Sequence, residues 1–513
     1  MPNRMDPVAP KTDWAMFLTT ALVVVMICLP IVAFHDQAAR TITSAYDAIT
    51  HRFGVLYLWY GTGIVLFLVW LAFSRFGEVR LGDPDDRPEF STLKWVAMLF
   101  CAGVGAGLLY WAVIEWAYYI DQPPYGLAAR SAAATEWAAS YGIFHWGPTG
   151  WAIFCLPTLA IAYPYYVRRI PYLRLSTGCS AYLPGGVTSR RGRFIDFFYM
   201  INLIGGAGTS LGLSTPMIAA NVAELSGLEH DFVLEVAVVL GCIAIFGTSA
   251  YLGLKKGFAR LADATMYAAF ALLLFVLAVG PTLFILKMGT NSIGLVLQNL
   301  IRMNTWTDPV TNSGFVENWT VFYWAWWIAY GPFVGIFVTR ISRGRTIRAV
   351  IGGMLTFGSI GAALFYLVLG NYALFLDLNG ILDVGRLVAI GSEPEAITRI
   401  LASLPLGKMA LAVFAAVATL LLATTYDSAS YTLASVSTQR LEAGRNPARW
   451  NCVFWACCLG ILPVTLMFVE GGIKVMLSAT IVFSLPLIAI GVLLCMSLMK
   501  MLREDVPRSR PAA

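Results

Sequence analysis

Apolar runs too long and too numerous for the interior of a water-soluble domain dominate this chain. A helix needs about 20 mostly apolar residues, rising ~1.5 Å each, to cross the hydrocarbon core of a bilayer. Twelve stretches qualify: Trp14–Phe34, Phe53–Phe73, Leu93–Tyr119, Trp137–Val167, Ile195–Val222, Phe232–Leu254, Leu261–Leu286, Trp319–Ile341, Ile347–Leu369, Met409–Ser437, Trp450–Val469 and Val475–Met499. Closed barrels are the only other way to span, and their strands run to only about 10 residues. The expected fold class is therefore an all-α membrane protein with twelve transmembrane helices. Only 12% of the residues are charged, against about 25% in a soluble domain, too few to cover a water-facing surface. That excludes a soluble enzyme and a disordered scaffold. The net charge of +6 is scattered through short loops rather than gathered on one face, so no nucleic acid partner is expected.

The positive charges also give an orientation. With an even number of spans, the tails and the loops after even-numbered spans hold 26 of the 35 Lys and Arg residues, among them Arg168, Arg169, Arg190, Arg191, Lys255, Lys256, Arg340, Arg343 and Arg345. The positive-inside rule places that side, and both termini, in the cytoplasm of a bacterial-type (inner) membrane. Trp14–Phe34 follows a mixed-charge tail (Arg4, Asp6, Lys11, Asp13) and lacks a small-residue cleavage site before His35, so it is read as a retained helix rather than a signal peptide. Asn291–Met303 and Glu393–Leu404 are amphipathic, either interfacial helices or moving gates. Most of the nine cysteines lie in apolar runs as small hydrophobes, and the four histidines show no metal-ligand spacing. No nucleophile–base pattern points to an enzyme, and no G-x-x-x-x-G-K-[ST] run points to nucleotide hydrolysis, so energy would come from a gradient or from exchange.

Chemistry concentrates in four places. The third run contains CAGVGAGLLYW, with Gly103, Gly105 and Gly107 at alternate positions. Gly103 and Gly107 alone suit close helix packing; the additional Gly105 favours an unwound stretch whose carbonyls line a cavity. The fifth run carries GGAGTSLGLST, where the hydroxyls of Thr209, Ser210, Ser214 and Thr215 are either oxygen ligands for a hard cation or back-bonded to their own helix. The eighth, WTVFYWAWWIAYGPF, places Trp324, Trp326, Trp327 and Tyr330 ahead of Gly331-Pro332, expected to be a second break. An interfacial aromatic belt would sit at the helix ends, whereas these rings reach the middle. A box of π faces is what a quaternary ammonium group requires, since it has no N–H to donate. Tyr118 and Trp146 (in FHWGP) are further candidates for the box. Finally, Glu115 and Asp427 are intramembrane carboxylates, functional or bracing. Asp427 follows Thr424 and Thr425 within a turn, as a cation site or a packing knot.

With these motifs in view, the chain resembles the betaine/choline/carnitine transporter family along essentially its whole length, most specifically through FYWAWWIAYGPFVGIFVTRISRGRT (Phe322–Thr346), with GVGAGLLYWAVIE, FHWGP, GTSLGL and SASYTLA in order. The resemblance implies a leucine-transporter-type inverted repeat. Residues 1–92 would be a tail and two peripheral helices, 93–286 the first five-helix repeat, 287–318 a periplasmic amphipathic helix and loop, 319–499 the second repeat, and 500–513 a short tail. It further implies a homotrimer and a cage of Tyr118, Trp146, Trp326 and Tyr330 with Trp327 nearby, lined by Gly103, Gly105 and Gly107, around the trimethylammonium group of a small-molecule substrate. IEWAYYIDQPPYG, YGIFHWGP and Tyr330 lean to the carnitine branch, and Gly107 stands where the choline branch has Asp.

One departure bears on energetics. The sodium-independent carnitine/γ-butyrobetaine exchanger fills its two cation sites with Arg and Met; this chain has Thr265 and Val334 there. The expectation is therefore sodium as coupling ion, with no other cofactor. Its candidate ligands are Thr424, Thr425, Cys101, Val104, Thr209, Ser210, Ser214 and Phe333. The alternative is a substrate:product exchanger. An osmosensor, whose relatives carry long charged extensions, is disfavoured by the short MLREDVPRSRPAA tail.

Overall fold

A computed structural model describes residues 11–253, 257–467 and 472–506; Arg4, Asp6, Lys255 and Lys256 lie outside them. Apart from two isolated bridges, Thr12 with Thr438 and Arg80 with Thr346, the regular structure of the described residues is helical. Eight of those helices are long and apolar enough to cross a membrane: within Arg40–Phe73, Arg190–Ser226, Phe232–Leu252, Phe258–Val279, Val316–Ile341, Ile347–Leu378, Gly407–Val436 and Ser484–Asp505. The pair Thr92–Val104 and Gly107–Asp121, bent by 61°, makes a ninth crossing. The other apolar runs are helical as well, over Trp14–Ala33, Ala132–His145 with Pro148–Tyr166, and Arg449–Met467.

Burial orders the helices radially. Every residue of Phe322–Ile341 is buried, whereas Phe232–Leu252 and Phe258–Val279 turn large apolar side chains such as Leu240, Tyr267 and Leu274 outward. An outward apolar belt around a helical core is the arrangement that lipid, rather than water, stabilises.

The loops confirm the parity read from the charges. On the basic side, Arg169 pairs with Asp83 (2.6 Å), Arg340 with Glu89 (2.9 Å) and Arg343 with Asp86 (3.0 Å), while Arg168 holds Glu504 and Asp505 (2.7 Å each). Asp13 N–H donates to Ser437 O on the same side. The opposite loops meet one another: Arg130 bridges Asp121 and Asp377, and Tyr125 stacks on Trp306. A miscount by one span would have mixed the two sets.

Three boundaries differ from expectation. The fourth run is two helices, because Trp146 leaves the helix and Gly147-Pro148 restarts it. A Cβ on Gly147 would come 2.6 Å from the Ile143 carbonyl oxygen, and Pro148 fits a first helical position, where its missing N–H costs nothing. The seventh run stops at Val279, since Gly280-Pro281 separates it from an amphipathic helix, Thr282–Thr305, longer than expected. The third difference is that the eighth run does not break at Gly331-Pro332: the helix is continuous over Phe322–Ile341, and the departure from α geometry is a wide π-type turn at Val316–Val321. The reason is a close crossing with Pro148–Tyr166. Gly331 faces the Ile153 carbonyl, and a Cβ on Gly335 would lie 2.9 Å from Thr158 N, so Gly here serves packing and the packed neighbour holds the helix through Pro332.

Candidate functional site

The site grows from the break in the third run. Ser91 caps the helix Thr92–Val104 by accepting the Lys94 amide. The helix ends at Gly105, whose φ of 62° and ψ of −178° lie in a region essentially reserved for Gly. Ending there leaves the last turn of carbonyls, Cys101 to Val104, without following amides. A Cβ on Gly105 would sit 3.0 Å from Thr425 Oγ1 and 3.3 Å from Ser210 Oγ; one on Gly107 would be 3.7 Å from the Trp326 ring and 3.8 Å from Ser210 Oγ. One turn of chain thus separates an aromatic cluster from a hydroxyl cluster. Gly103 instead packs on Trp151, its would-be Cβ 2.7 Å from that ring. The expected unwound stretch is present.

Three of the five expected cage rings come together. Trp326 and Trp327 stack at 5.1 Å and 11°. Trp146, presented by the helix joint, meets Trp327 at 4.7 Å and Trp326 at 6.2 Å, both edge to face. All three are at most 4% exposed, so none faces lipid. Trp327 is fixed from behind, since its indole N–H donates to the His145 carbonyl at 2.9 Å. Tyr330 lies one turn beyond Trp326, buried, with its ring 5.0 Å from Phe333.

Tyr118 belongs elsewhere among the described residues. Its ring neighbours are Trp319 (5.3 Å) and Trp111 (6.2 Å), and its hydroxyl donates to Glu393 Oε1 at 2.8 Å. Among the described residues, Trp111 reaches the inner cluster through Tyr323, at 6.5 Å. Tyr118, Trp111 and Trp319 therefore form an outer layer, tied to the amphipathic helix Glu393–Ala402 that Asn221 holds through Thr398 (3.2 Å).

Sequence reasoning missed Tyr323 and Tyr366. Tyr323 stacks 5.6 Å from Trp327 and 6.2 Å from Trp326; Tyr366 lies 6.4 Å from Trp146. Tyr323 stands three and four residues before Trp326 and Trp327, on the same helix face, a spacing that marks it. Tyr366 carries no such local signal. It approaches because Gly142 lacks a Cβ, which would overlap its ring. Both tyrosines donate to the fully buried Glu115, as does Tyr119; the Tyr323 bond is 2.8 Å. Glu115 thus ties its own helix, which also carries Tyr119, to the segments of Tyr323 and Tyr366.

Two buried donors around the clusters, the indole N–H groups of Trp111 and Trp326, find no partner among the described residues, while the Trp146 indole approaches Tyr323 and the Tyr330 hydroxyl approaches Ser210. Such groups cost about 1–3 kcal/mol each if left unmet, so an acceptor-bearing guest suits them.

On the hydroxyl side, Thr425 Oγ1 donates to Leu421 O (3.0 Å) and lies 3.4 Å from Cys101 O; Thr424 also donates to Leu421 O (2.9 Å). A hydroxyl whose proton is committed to its own helix keeps its lone pairs for a cation. Ser214 back-bonds to Ser210 O (2.7 Å). Val104 is buried, and the side chain of Thr209 lies outside the described residues. At the aligned exchanger positions, Thr265 back-bonds to Leu261 O (2.8 Å) and Val334 is fully buried. Asp427 does not join the threonines: it takes the Ser249 hydroxyl on a neighbouring helix. Two residues apart on a helix point about 200° apart, so Thr425 faces the glycine break while Asp427 faces away from it.

A multi-span helical bundle with a broken helix, a buried aromatic cluster and an adjoining hydroxyl cluster is an arrangement suited to a membrane transporter. The chain belongs to the betaine/carnitine/choline transporter family, whose model matches residues 15–507. A carnitine transporter of Acinetobacter baumannii is 32% identical over 487 residues, 95% of this chain and 88% of its own. The uncharacterized transporter YeaV of Escherichia coli K12 is 36% identical over 438 residues, 85% and 91% respectively. A solved Na+-coupled sialic acid symporter aligns with 90% of this chain and 83% of its own at 12% identity, with a TM-score of 0.38, too slight a likeness to carry weight.

Proposed function

We propose that the protein takes up a zwitterionic quaternary ammonium compound of the carnitine or betaine type, driven by sodium, as a homotrimer in a bacterial inner membrane with both termini in the cytoplasm. The observation that carries this reading is the buried cluster of Trp146, Trp326, Trp327 and Tyr323 beside the unmet indole N–H groups of Trp111 and Trp326. The π faces attract a methylated cation at about 0.5–2 kcal/mol per ring. The two indole N–H groups offer hydrogen bonds to the carboxylate end, so one guest satisfies both features. Sodium fits the oxygens of Thr425, Thr424, Ser210 and the Cys101 carbonyl. Gly105 and Gly107 pass between the two clusters, which gives ion and substrate a shared wall through which each can favour the other's binding. Substrate:product exchange needs no such ion; Thr265 and Val334 leave neither cation position filled by a fixed charge or a thioether.

The deciding experiment is counterflow and net uptake of labelled carnitine, γ-butyrobetaine and glycine betaine in proteoliposomes. Uptake above equilibrium should require an inward sodium gradient. Undiminished uptake in potassium buffer would overturn the coupling while leaving the cage intact.

A further inference from the structure

We infer that Glu115 is the fixed negative counter-charge of the aromatic cage and adds to its preference for a cation over a neutral group of the same shape. The inference rests on the proposed cage, and concerns a residue behind it rather than in it.

Glu115 is fully buried within Gly107–Asp121. Its Oε2 accepts the hydroxyls of Tyr323 (2.8 Å) and Tyr366, and its Oε1 accepts that of Tyr119. Three O–H groups directed at two carboxyl oxygens suit the ionised carboxylate, which accepts all of them and has no proton of its own to place. No lysine or arginine among the described residues pairs with it. The basic side chain within reach is His145, with Nδ1 3.6 Å from Oε1. Both His145 nitrogens are occupied, Nδ1 by the Tyr119 oxygen (3.0 Å) and Nε2 by Thr320 Oγ1 (3.1 Å). A neutral imidazole with its proton on Nδ1 satisfies this pattern: it donates to Tyr119, whose own proton goes to Glu115, and accepts from Thr320. The assembly then carries one net negative charge.

That charge lies one ring away from the cage. Tyr323, which donates to Glu115, is 6.1 Å from Trp146, 6.2 Å from Trp326 and 5.6 Å from Trp327; Tyr366 is 6.4 Å from Trp146. Away from water, such a charge acts over this range with little screening. Ring faces alone already favour a cation over a neutral group of the same shape, through their quadrupoles. The carboxylate adds a term that only a cation feels.

A bracing role would need the hydrogen bonds but not the charge, so the test separates them. Full-length protein in lipid nanodiscs binds labelled carnitine in competition with unlabelled carnitine and with its carbon isostere, in which C(CH3)3 replaces N(CH3)3+. The ratio of the two affinities is read for wild type, Glu115→Gln, Glu115→Asp and Tyr366→Phe. Glu115→Gln should reduce the ratio about tenfold, equivalent to roughly 1.4 kcal/mol, by weakening carnitine and not the isostere. Glu115→Asp, which keeps the charge, and Tyr366→Phe, which removes one donor, should keep the ratio even where thermal stability falls. A wild-type ratio in Glu115→Gln overturns the inference. So does an equal collapse in Tyr366→Phe, which would trace selectivity to packing, and that comparison also decides the matter should Glu115→Gln fail to fold. Failure of the cage itself looks different: wild type would bind both compounds alike.

Discussion

Replacing Gly105 with Ala tests the broken helix more sharply than deleting any aromatic ring. At φ 62° and ψ −178°, the new Cβ meets a backbone penalty of about 1–3 kcal/mol. It also enters contacts of 3.0 Å with Thr425 Oγ1 and 3.3 Å with Ser210 Oγ, which must yield by a few tenths of an ångström. Gly107→Ala is the internal control. Gly107 begins the next helix, its would-be Cβ has only ordinary contacts at 3.7 and 3.8 Å, and Ala gains up to about 1 kcal/mol of helix propensity there. The two variants add the same methyl group two residues apart, yet should move in opposite directions. Thermal unfolding of purified protein followed by tryptophan fluorescence, with and without sodium, reads the difference. Gly105→Ala should unfold several degrees below wild type and lose sodium stabilisation, because the methyl crowds Thr425. Gly107→Ala should unfold at or above the wild-type temperature and keep the sodium response. If Gly105→Ala matches both in stability and sodium response, the chain does not turn at Gly105 and the ion-site reasoning fails with it.

Other outcomes follow from the same geometry. Tyr118→Phe should change carnitine affinity by no more than about threefold, since its hydroxyl contributes one partly exposed hydrogen bond to Glu393; a loss comparable to that from an inner tryptophan would return Tyr118 to the cage. Thr425→Val should abolish sodium stimulation of uptake while Asp427→Asn retains it, and the reverse pattern would place the ion beside Asp427 and Ser249. Asp86 is held below the usual carboxylate range by the Asp83 amide and then by the Arg343 guanidinium (3.0 Å). A depressed carboxyl stabilises the fold above its unfolded pKa of about 3.9 and ceases to as pH falls through the lower folded value. Asp86→Asn should thus cost up to about 1 kcal/mol at pH 5–7, a cost that begins to shrink near pH 4 and vanishes only beneath the folded value; a stability difference that persists there would refute the assignment.

What could be read locally was read well. Twelve apolar runs and the alternation of basic loops gave spans and parity, because lipid enforces length and charge placement residue by residue. Gly105 is legible because Gly103 and Gly107 suffice for helix packing and the glycine between them is not needed for it. Where Gly and Pro can either break a helix or let two helices touch, the local pattern misled: Gly147-Pro148 breaks a helix taken as continuous, and Gly331-Pro332 packs in a helix taken as broken. Of the two readings of Asp427, the packing knot is the one with an observed partner, the Ser249 hydroxyl, and the angular distance of Asp427 from Thr425 is already contained in the sequence. The Glu115 brace was out of reach, since Tyr323 and Tyr366 lie 208 and 251 residues away and meet it only through the tertiary fold.

The most direct test of the whole account is binding of carnitine to Trp326→Leu, measured by isothermal titration in the presence of sodium. Leu keeps the position apolar, at a smaller volume, and removes the π face that stacks on Trp327 and meets Trp146. The account predicts loss of measurable binding in a protein that unfolds near the wild-type temperature, and wild-type affinity in that variant would contradict it.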